Sequence, residues 1–321
     1  MPSTIEQGMR VCNRCHESLP ATDVHFYRRV SGTQAGQLML TCRGCRRRAA
    51  AGRTSSRRTT SPRSRRFGFE MEFIGSKSAV ARALQLEGID ARATGYTHRV
   101  TRTWKIVPDG SVMGGGELVS PPLRMEQALE LMPKVQRAMA AAGASVNHST
   151  GLHVHHEVTD LDVRAFGRMF RFWYNCQDAL NTLVSPSRNS NAFCRPLDRL
   201  IVEQCETLSA LNRETTRRAF GNINRYMTLN VCSFPRYGTI EVRQHQGTLN
   251  AEKIINWTKL AQAMLTFAKG TESMIRESSS LTNMLDTLVE HGGLDAEVAS
   301  YWHSRVAELA DNARQGTEVF A

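Results

Sequence analysis

T-G-L-H-V-H-H-E-V, residues 150–158, sets three histidines and a glutamate into an alternating run. In a strand successive side chains point to opposite faces. Gly151, His153, His155 and Glu157 therefore share one side, and Leu152, Val154, His156 and Val158 the other. A strand of this kind is half-buried, and its polar side either meets solvent or holds a ligand. Three further stretches decide between those two outcomes. F-G-F-E-M-E-F-I (67–74) places Phe67, Phe69, Met71 and Phe73 on one face and Glu70 and Glu72 on the other, the two carboxylates about 7 Å apart. G-E-L-V-S (116–120), closed by Pro121 and Pro122, carries Glu117. Y-G-T-I-E-V-R-Q-H (237–245) reads as a strand with Thr239, Glu241, Arg243 and His245 opposite Ile240 and Val242, joined to M-T-L-N-V-C-S by the hairpin S-F-P-R.

Helical periodicity fills the intervals. The span 125–142 has the apolar stripe Leu129, Met132, Val135 and Met139 and stops at Gly143. Asp160 caps a helix reaching about residue 184, with Phe166, Met169, Phe170, Trp173, Leu180 and Leu183 as its core face. Helices are expected over 250–269, opened by Asn250, and over 281–291 and 294–313. Strands with helices behind them give an α+β domain over 67–321.

The same residue types recur on the polar face of each strand. Ordinary solvent-facing sheet surfaces mix Thr, Lys and charges of both signs, whereas repeated Glu and His imply acidic groups that repel one another unless a cation lies between them. Oxygen-rich ligation with one or two imidazoles suits Mg²⁺ or Mn²⁺. Arg243, two residues from Glu241, adds a planar fork suited to anionic oxygens. His156 faces the apolar side and reads as a core histidine.

The N-terminal 66 residues have a different character. They hold fourteen arginines against Glu6, Glu17 and Asp23, a net +11 equal to that of the whole 321-residue chain. Cys12, Cys15, Cys42 and Cys45 form two C-x-x-C pairs, a spacing that suits one tetrahedral Zn²⁺, with a redox pair as the alternative and His16 as a substitute ligand. The expected organisation is a zinc-binding module over 1–48, a basic flexible linker over 49–66, and the large domain. The arginines are either a solvated tether or an arm for nucleic acid or another polyanion. Cys176, Cys194, Cys205 and Cys232 lack mutual spacing and read as packed thiols. No apolar run is long enough to span a membrane and no signal-peptide core opens the chain, so a cytoplasmic protein is expected.

F-G-F-E-M-E-F, W-K-I-V-P-D-G-S with G-E-L-V-S-P-P-L, T-G-L-H-V-H and Y-G-T-I-E-V-R-Q-H-Q-G-T-L, in that order, resemble the amidoligase family, relatives of glutamine synthetase and glutamate-cysteine ligase, over residues 67–270. The resemblance implies a glutamine synthetase-like curved antiparallel sheet with helices packed on one face. It implies an ATP-dependent ligase that joins a carboxylate to an amine, drawn from peptides, amino acids or polyamines, through an acyl phosphate. Glu70, Glu72 and Glu117 would hold one cation, and His153 and Glu241 another on the nucleotide side. Arg243 would neutralise the transferring phosphoryl group, and Arg225 and Asn230 in R-Y-M-T-L-N would lie near the nucleotide. Asp109 in P-D-G-S would orient the amine or take its proton, unless it is only a turn residue. His155 and His245 would support the ligands from behind. The loop 185–196 is only loosely similar to the family, which leaves Arg188 and Arg195 without a role. The cysteine module resembles small C-x-x-C modules at the head of phage-encoded proteins, which would put the chain in a host cytoplasm.

Two other classes use the same residues. One is a nucleic-acid-binding protein, led by the cysteine module and arginines, with an inactive ligase-like domain. The other is a metal-dependent hydrolase or nuclease with a nucleophilic water. Against the first stands the intact set of Glu70, Glu72, His153, Glu241 and Arg243. Against the second stands the lack of H-E-x-x-H or of closely spaced His-Asp sets.

Overall fold

The computed structural model describes residues 8–15, 17–28, 37–46, 65–189, 191–270 and 280–314. Its contacts divide the chain into two units, Met1–Pro62 and Arg63–Ala321. His16 and most of the stretch expected to be a linker lie outside the described residues. Arg65 and Arg66, at the end of that stretch, are anchored: Arg66 pairs with Glu157 at 3.0 Å and Arg65 with Asp160 at 2.8 Å.

The first unit has two antiparallel ladders, β1 (Met9–Val11) with β2 (Ser18–Pro20) and β3 (Phe26–Arg28) with β4 (Leu38–Cys42). Its buried centre is Cys12, Phe26, Cys42 and Cys45, with Cys15, Leu19 and Leu38 against them. Cysteines outnumber hydrocarbon side chains there.

The second unit is α+β. Its sheet has the order β10-β11-β9-β5-β8-β7-β6, from β5 (Phe67–Ile74), β6 (Ala91–Ala93), β7 (Trp104–Val107), β8 (Gly115–Val119), β9 (Gly151–Glu157), β10 (Leu229–Asn230) and β11 (Thr239–Gln246). Every pairing is antiparallel except β6 with β7 at the edge. Alternation gives the sheet one apolar face: Phe67, Phe69, Met71, Phe73, Leu152, Val154, Ile240 and Val242 are buried in one continuous core. Helices Lys77–Leu86, Met125–Ala141, Val163–Asn181 and Ala251–Gly270 contribute much of the rest of that core. His156 is fully buried on this side, with Nδ1 2.8 Å from Gln262, and burial pushes it down to about 3, so it is a neutral core histidine.

Four local expectations are corrected. The Met125–Ala141 helix buries Met132, Val135 and Met139 of the expected stripe, but Ala128 and Ala138 join them on the inner face and Leu129, at the stripe's edge, is left exposed. The cap of Val163–Asn181 is Asp162, which accepts from Ala165 N at 2.6 Å, while Asp160 is committed to Arg65 and Lys269. The link from β10 to β11 is a helical turn, Phe234–Tyr237, ended by Gly238 at φ +68°, where a left-handed residue is needed.

The fourth correction concerns the site. Val242 pairs with Val154 but His245 pairs with Leu152, three steps on β11 against two on β9, which is a bulge. The extra residue keeps Arg243 on the polar face and turns His245 onto the apolar one. There His245 is fully buried, 5.2 Å from the ring of Trp257, and burial pushes it down to about 3. His245 therefore does not support the polar-face ligands as expected. His245→Ala should lower stability in urea unfolding by on the order of 2 kcal/mol while leaving Mn²⁺ affinity at the wild-type value. Loss of Mn²⁺ binding by a stably folded variant would return His245 to the site.

Candidate active site

The strand registers bring the polar residues together. On β5, Glu70 stands opposite His153 of β9 and Glu72 opposite Glu117 of β8, while His155 of β9 stands opposite Glu241 of β11. Directly opposed residues in a sheet lie within about 5.5 Å, so the pairs form a continuous polar floor. This floor lies in a cavity of about 1200 Å³ that is also lined by Asp109, Arg225, Asn230 and Arg243.

Distances sort the floor into overlapping groups. His155 Nε2 is 3.2 Å from Glu70 and 4.0 Å from Glu241. His153 Nδ1 is 3.6 Å from both Glu70 and Glu241, and its Nε2 is 3.8 Å from Glu72. Three sets have ligand atoms within 4.8 Å of one another: Glu70, His155 and Glu241; Glu70, Glu117 and His153; and Glu72, Asp109 and Glu117.

The electrostatics are strained in a way that a cation would relieve. Burial pushes the Glu117 carboxyl well above the usual range, and the nearby Glu70, Glu72, Asp109 and Glu241 push it further. Burial also raises Glu72, against His153 and the Gly151 N–H, which donates to its Oε2 at 2.6 Å. Glu70 goes the other way: burial opposes its ionisation, but His155 and His153 hold it well below the usual range. Burial would lower His155, yet Glu70 and Glu241 lift it to about 9. His153 Nδ1 is buried without a hydrogen bond although two carboxylates flank it. A Cβ on Gly151 would sit 3.0 Å from His153 Nε2 and 3.5 Å from Glu72 Oε2, so glycine keeps that space open. Carboxylates plus an orphaned imidazole nitrogen are a donor set that fits a hard divalent cation.

At the β10/β11 end the charge changes sign. Arg243, buried, forms an ion pair with Glu241 and donates from Nε to Phe193 O at 3.3 Å. Asn230 donates to the other Glu241 oxygen at 2.7 Å. Arg225 is exposed, its guanidinium 5.1 Å from the Tyr226 ring. Asp109 at the opposite end accepts from Ser111 N at 2.7 Å, so it serves its turn and also stands with Glu72 and Glu117.

Two buried cations stand on the cavity wall, Lys105, which the sequence reading missed, and Arg188, which it left without a role. Lys105 of β7 donates to the carbonyls of Thr97 and Arg99 at 2.9 and 2.8 Å. Arg188 donates to the carbonyl of Arg243 at 2.7 Å. The lone lysine in W-K-I-V was a signal for the first, whereas Arg188 lies in an aperiodic loop. The Arg195 backbone bridges to Met227.

In the first unit, Cys12, Cys15, Cys42 and Cys45 have their sulfurs within 4.8 Å of one another. Burial would raise the Cys12 thiol, but N–H bonds, among them those from Cys42 at 3.2 Å and Arg14 at 3.4 Å, bring it down to about 6. Thiolates facing N–H donors at the ends of two short turns can hold a metal ion.

No helix of the described residues is long and apolar enough to cross a membrane. No curated protein matches the chain in sequence. A structural likeness exists to a chain in the crystal structure of the complex between prokaryotic ubiquitin-like protein Pup and its ligase PafA, at 9% identity and a TM-score of 0.38, covering 80% of this chain. The present chain spans 66% of the length of that one. The family model described as "Putative amidoligase enzyme" matches residues 63–265. That span is more than half of the 321 residues and contains every strand of the polar face, so the chain belongs to the amidoligase family.

Proposed function

We propose that the second unit is an ATP-dependent carboxylate–amine ligase that makes an amide bond through an acyl phosphate. The observation that carries this reading is the convergence of Glu70, Glu72, Asp109, Glu117 and Glu241 with two imidazoles in one cavity that has an arginine, Arg243, at one end. Mg²⁺ or Mn²⁺ held by Glu70, Glu72, Glu117, His153 and Glu241, with His155 within reach, would neutralise phosphate charge. The acid's carboxylate oxygen attacks the γ-phosphorus, the bond from that phosphorus to the bridging oxygen breaks, and ADP leaves. The amine nitrogen then attacks the acyl carbon, the bond to the phosphate oxygen breaks, and the surplus amine proton passes to a carboxylate at the Asp109 end. Arg243, anchored by Glu241 and by the Phe193 carbonyl, presents a fixed positive charge to the phosphoryl oxygens. Asn230 holds Glu241 in place.

In the first unit we assign the four thiolates to one structural Zn²⁺. Among the described residues its core holds too few hydrocarbon side chains to order the unit without a staple.

The ligase is tested by ADP release with pooled carboxylic acids and hydroxylamine as the amine. Release should require both. ADP formation without an amine would point to a phosphatase, and bond cleavage without ATP to a hydrolase. Glu72→Gln keeps the side-chain shape but removes its charge, and should cut turnover at least about a hundredfold with the fold intact. Arg243→Lys keeps the charge but loses the fork, and should lower kcat more than it raises the KM for ATP. Wild-type turnover in Glu72→Gln would sink the assignment.

Glu117→Gln separates ligation from packing. The glutamine resembles the protonated acid that burial and repulsion favour, so the melting temperature should hold while Mn²⁺ binding weakens by about tenfold or more. For the cysteine unit, metal analysis should find one zinc per chain, lost in Cys42→Ser. A zinc content unaffected by that change would overturn the site.

A further inference from the structure

The two ends of the cavity differ in chemistry beyond charge. The Glu72, Asp109 and Glu117 end offers carboxylates. The β10/β11 end offers Arg225, Arg243, Tyr226 and Phe193. Phe193 is 48% exposed although it lines the cavity. A single exposed aromatic ring is common on protein surfaces, but this one is fixed in place. Its N–H donates to Asn191 Oδ1 at 2.8 Å and its carbonyl accepts from Arg243. Two residues on, Arg195 donates to the Tyr226 carbonyl at 3.0 Å and accepts from Thr228 N at 2.8 Å, bolting the two loops together. The rings of Phe193 and Tyr226 meet edge to face, centroids 5.3 Å apart at 88°. The guanidinium groups of Arg225 and Arg243 lie 5.1 and 5.6 Å from the Tyr226 centroid. Tyr226 is therefore the occupied, rigid support, and Phe193 is the ring with a face to offer.

Arg243 connects this platform to the catalytic floor. One guanidinium touches Glu241, the Phe193 carbonyl and the Tyr226 ring. A triphosphate laid along Arg243 from the carboxylate floor would therefore have Phe193 beside it. Every nucleobase presents a flat π-face that stacks on a pre-positioned aromatic ring. The other exposed aromatic ring on the cavity, Tyr96, packs on His98, with centroids 4.9 Å apart and its hydroxyl 3.1 Å from Nε2, whereas Phe193 is the one whose carbonyl accepts from Arg243.

We propose that Phe193, braced by Tyr226, is the stacking platform for the base of the nucleoside triphosphate, which orients the triphosphate along Arg243 and leaves the Asp109 end of the cavity to the acid and amine. This inference rests on the ATP reading above. It is tested by titration calorimetry of the full-length chain with Mg·ATP and with Mg·tripolyphosphate, which has the phosphates and no base. Salt of about 0.3 M screens the arginine-rich segment. Wild type should bind ATP more tightly than tripolyphosphate. Phe193→Ala should weaken ATP by about ten- to a hundredfold and leave tripolyphosphate unchanged. Phe193→Trp should retain ATP binding and add an exposed indole, since Trp104, Trp173, Trp257 and Trp302 are all buried. Its fluorescence should be quenched by ATP and not by tripolyphosphate. Equal affinity of wild type for the two ligands, a parallel loss of both in Phe193→Ala, or quenching indifferent to the base would each overturn the platform while leaving the ligase standing. Failure of wild type to bind either ligand would remove the ATP reading itself, and this inference with it.

Discussion

Like-charge repulsion on a closed polar floor is the constraint around which the second unit is organised. At separations near 4.8 Å and an effective dielectric near 20, two carboxylates repel by about 3–4 kcal/mol, and a domain's whole stability is only about 5–15 kcal/mol. Glu70, Glu72, Asp109, Glu117 and Glu241 cannot all be ionised there without countercharge. The structure supplies part of it: His155 and Arg243 hold Glu241 ionised against burial, and His155 and His153 do the same for Glu70. Glu117 has Lys105 of the adjacent β7 as a positive neighbour, yet burial and four nearby carboxylates still push it toward its protonated form. The cations at the β9/β11 side hold their carboxylates ionised, whereas at the β8 side burial and repulsion prevail at Glu117.

That arrangement persists because the opposite face of the same strands is tightly held. Phe69, Phe73, Leu152, Val154 and Ile240 are fully buried against the helices, so slipping a strand by one residue would exchange its aromatic or aliphatic side chains for its carboxylates. The apolar face therefore fixes the register that opposes Glu72 to Glu117 and His155 to Glu241. The bulge in β11 breaks the alternation of that strand. It leaves Arg243 on the floor and commits His245 to Trp257, which separates two residues that strict alternation would have kept together.

The first unit solves a different problem with different means. Its buried centre consists largely of thiols, and the N–H groups aimed at Cys12 favour a thiolate. Burial of hydrocarbon organises the large unit, whereas four clustered cysteines make up most of the described centre of the small one. The family match begins at residue 63 and includes none of the four cysteines.

Which face of β5, β8 and β9 would be polar was legible from the sequence, because side chains alternate with a period of two and Phe67, Phe69, Met71 and Phe73 leave no doubt about the inner side of β5. The ordered motifs identified the family for the same reason: they lie on strands, where spacing determines direction. What depended on distant parts of the chain was not legible. Asp160 lost its capping role to Asp162 because Arg65 and Lys269 claim it from opposite ends of the unit. Leu129 turned outward because a helix's rotation is set by what it packs on. Arg188, Lys105 and Phe193 reach the cavity from loops or from an otherwise apolar strand, positions with no periodicity to announce them. Local alternation determined the faces. Only the tertiary structure decided which strands are neighbours, where the bulge falls and which loops close over the floor, because those choices are made by contacts between residues tens to hundreds of positions apart.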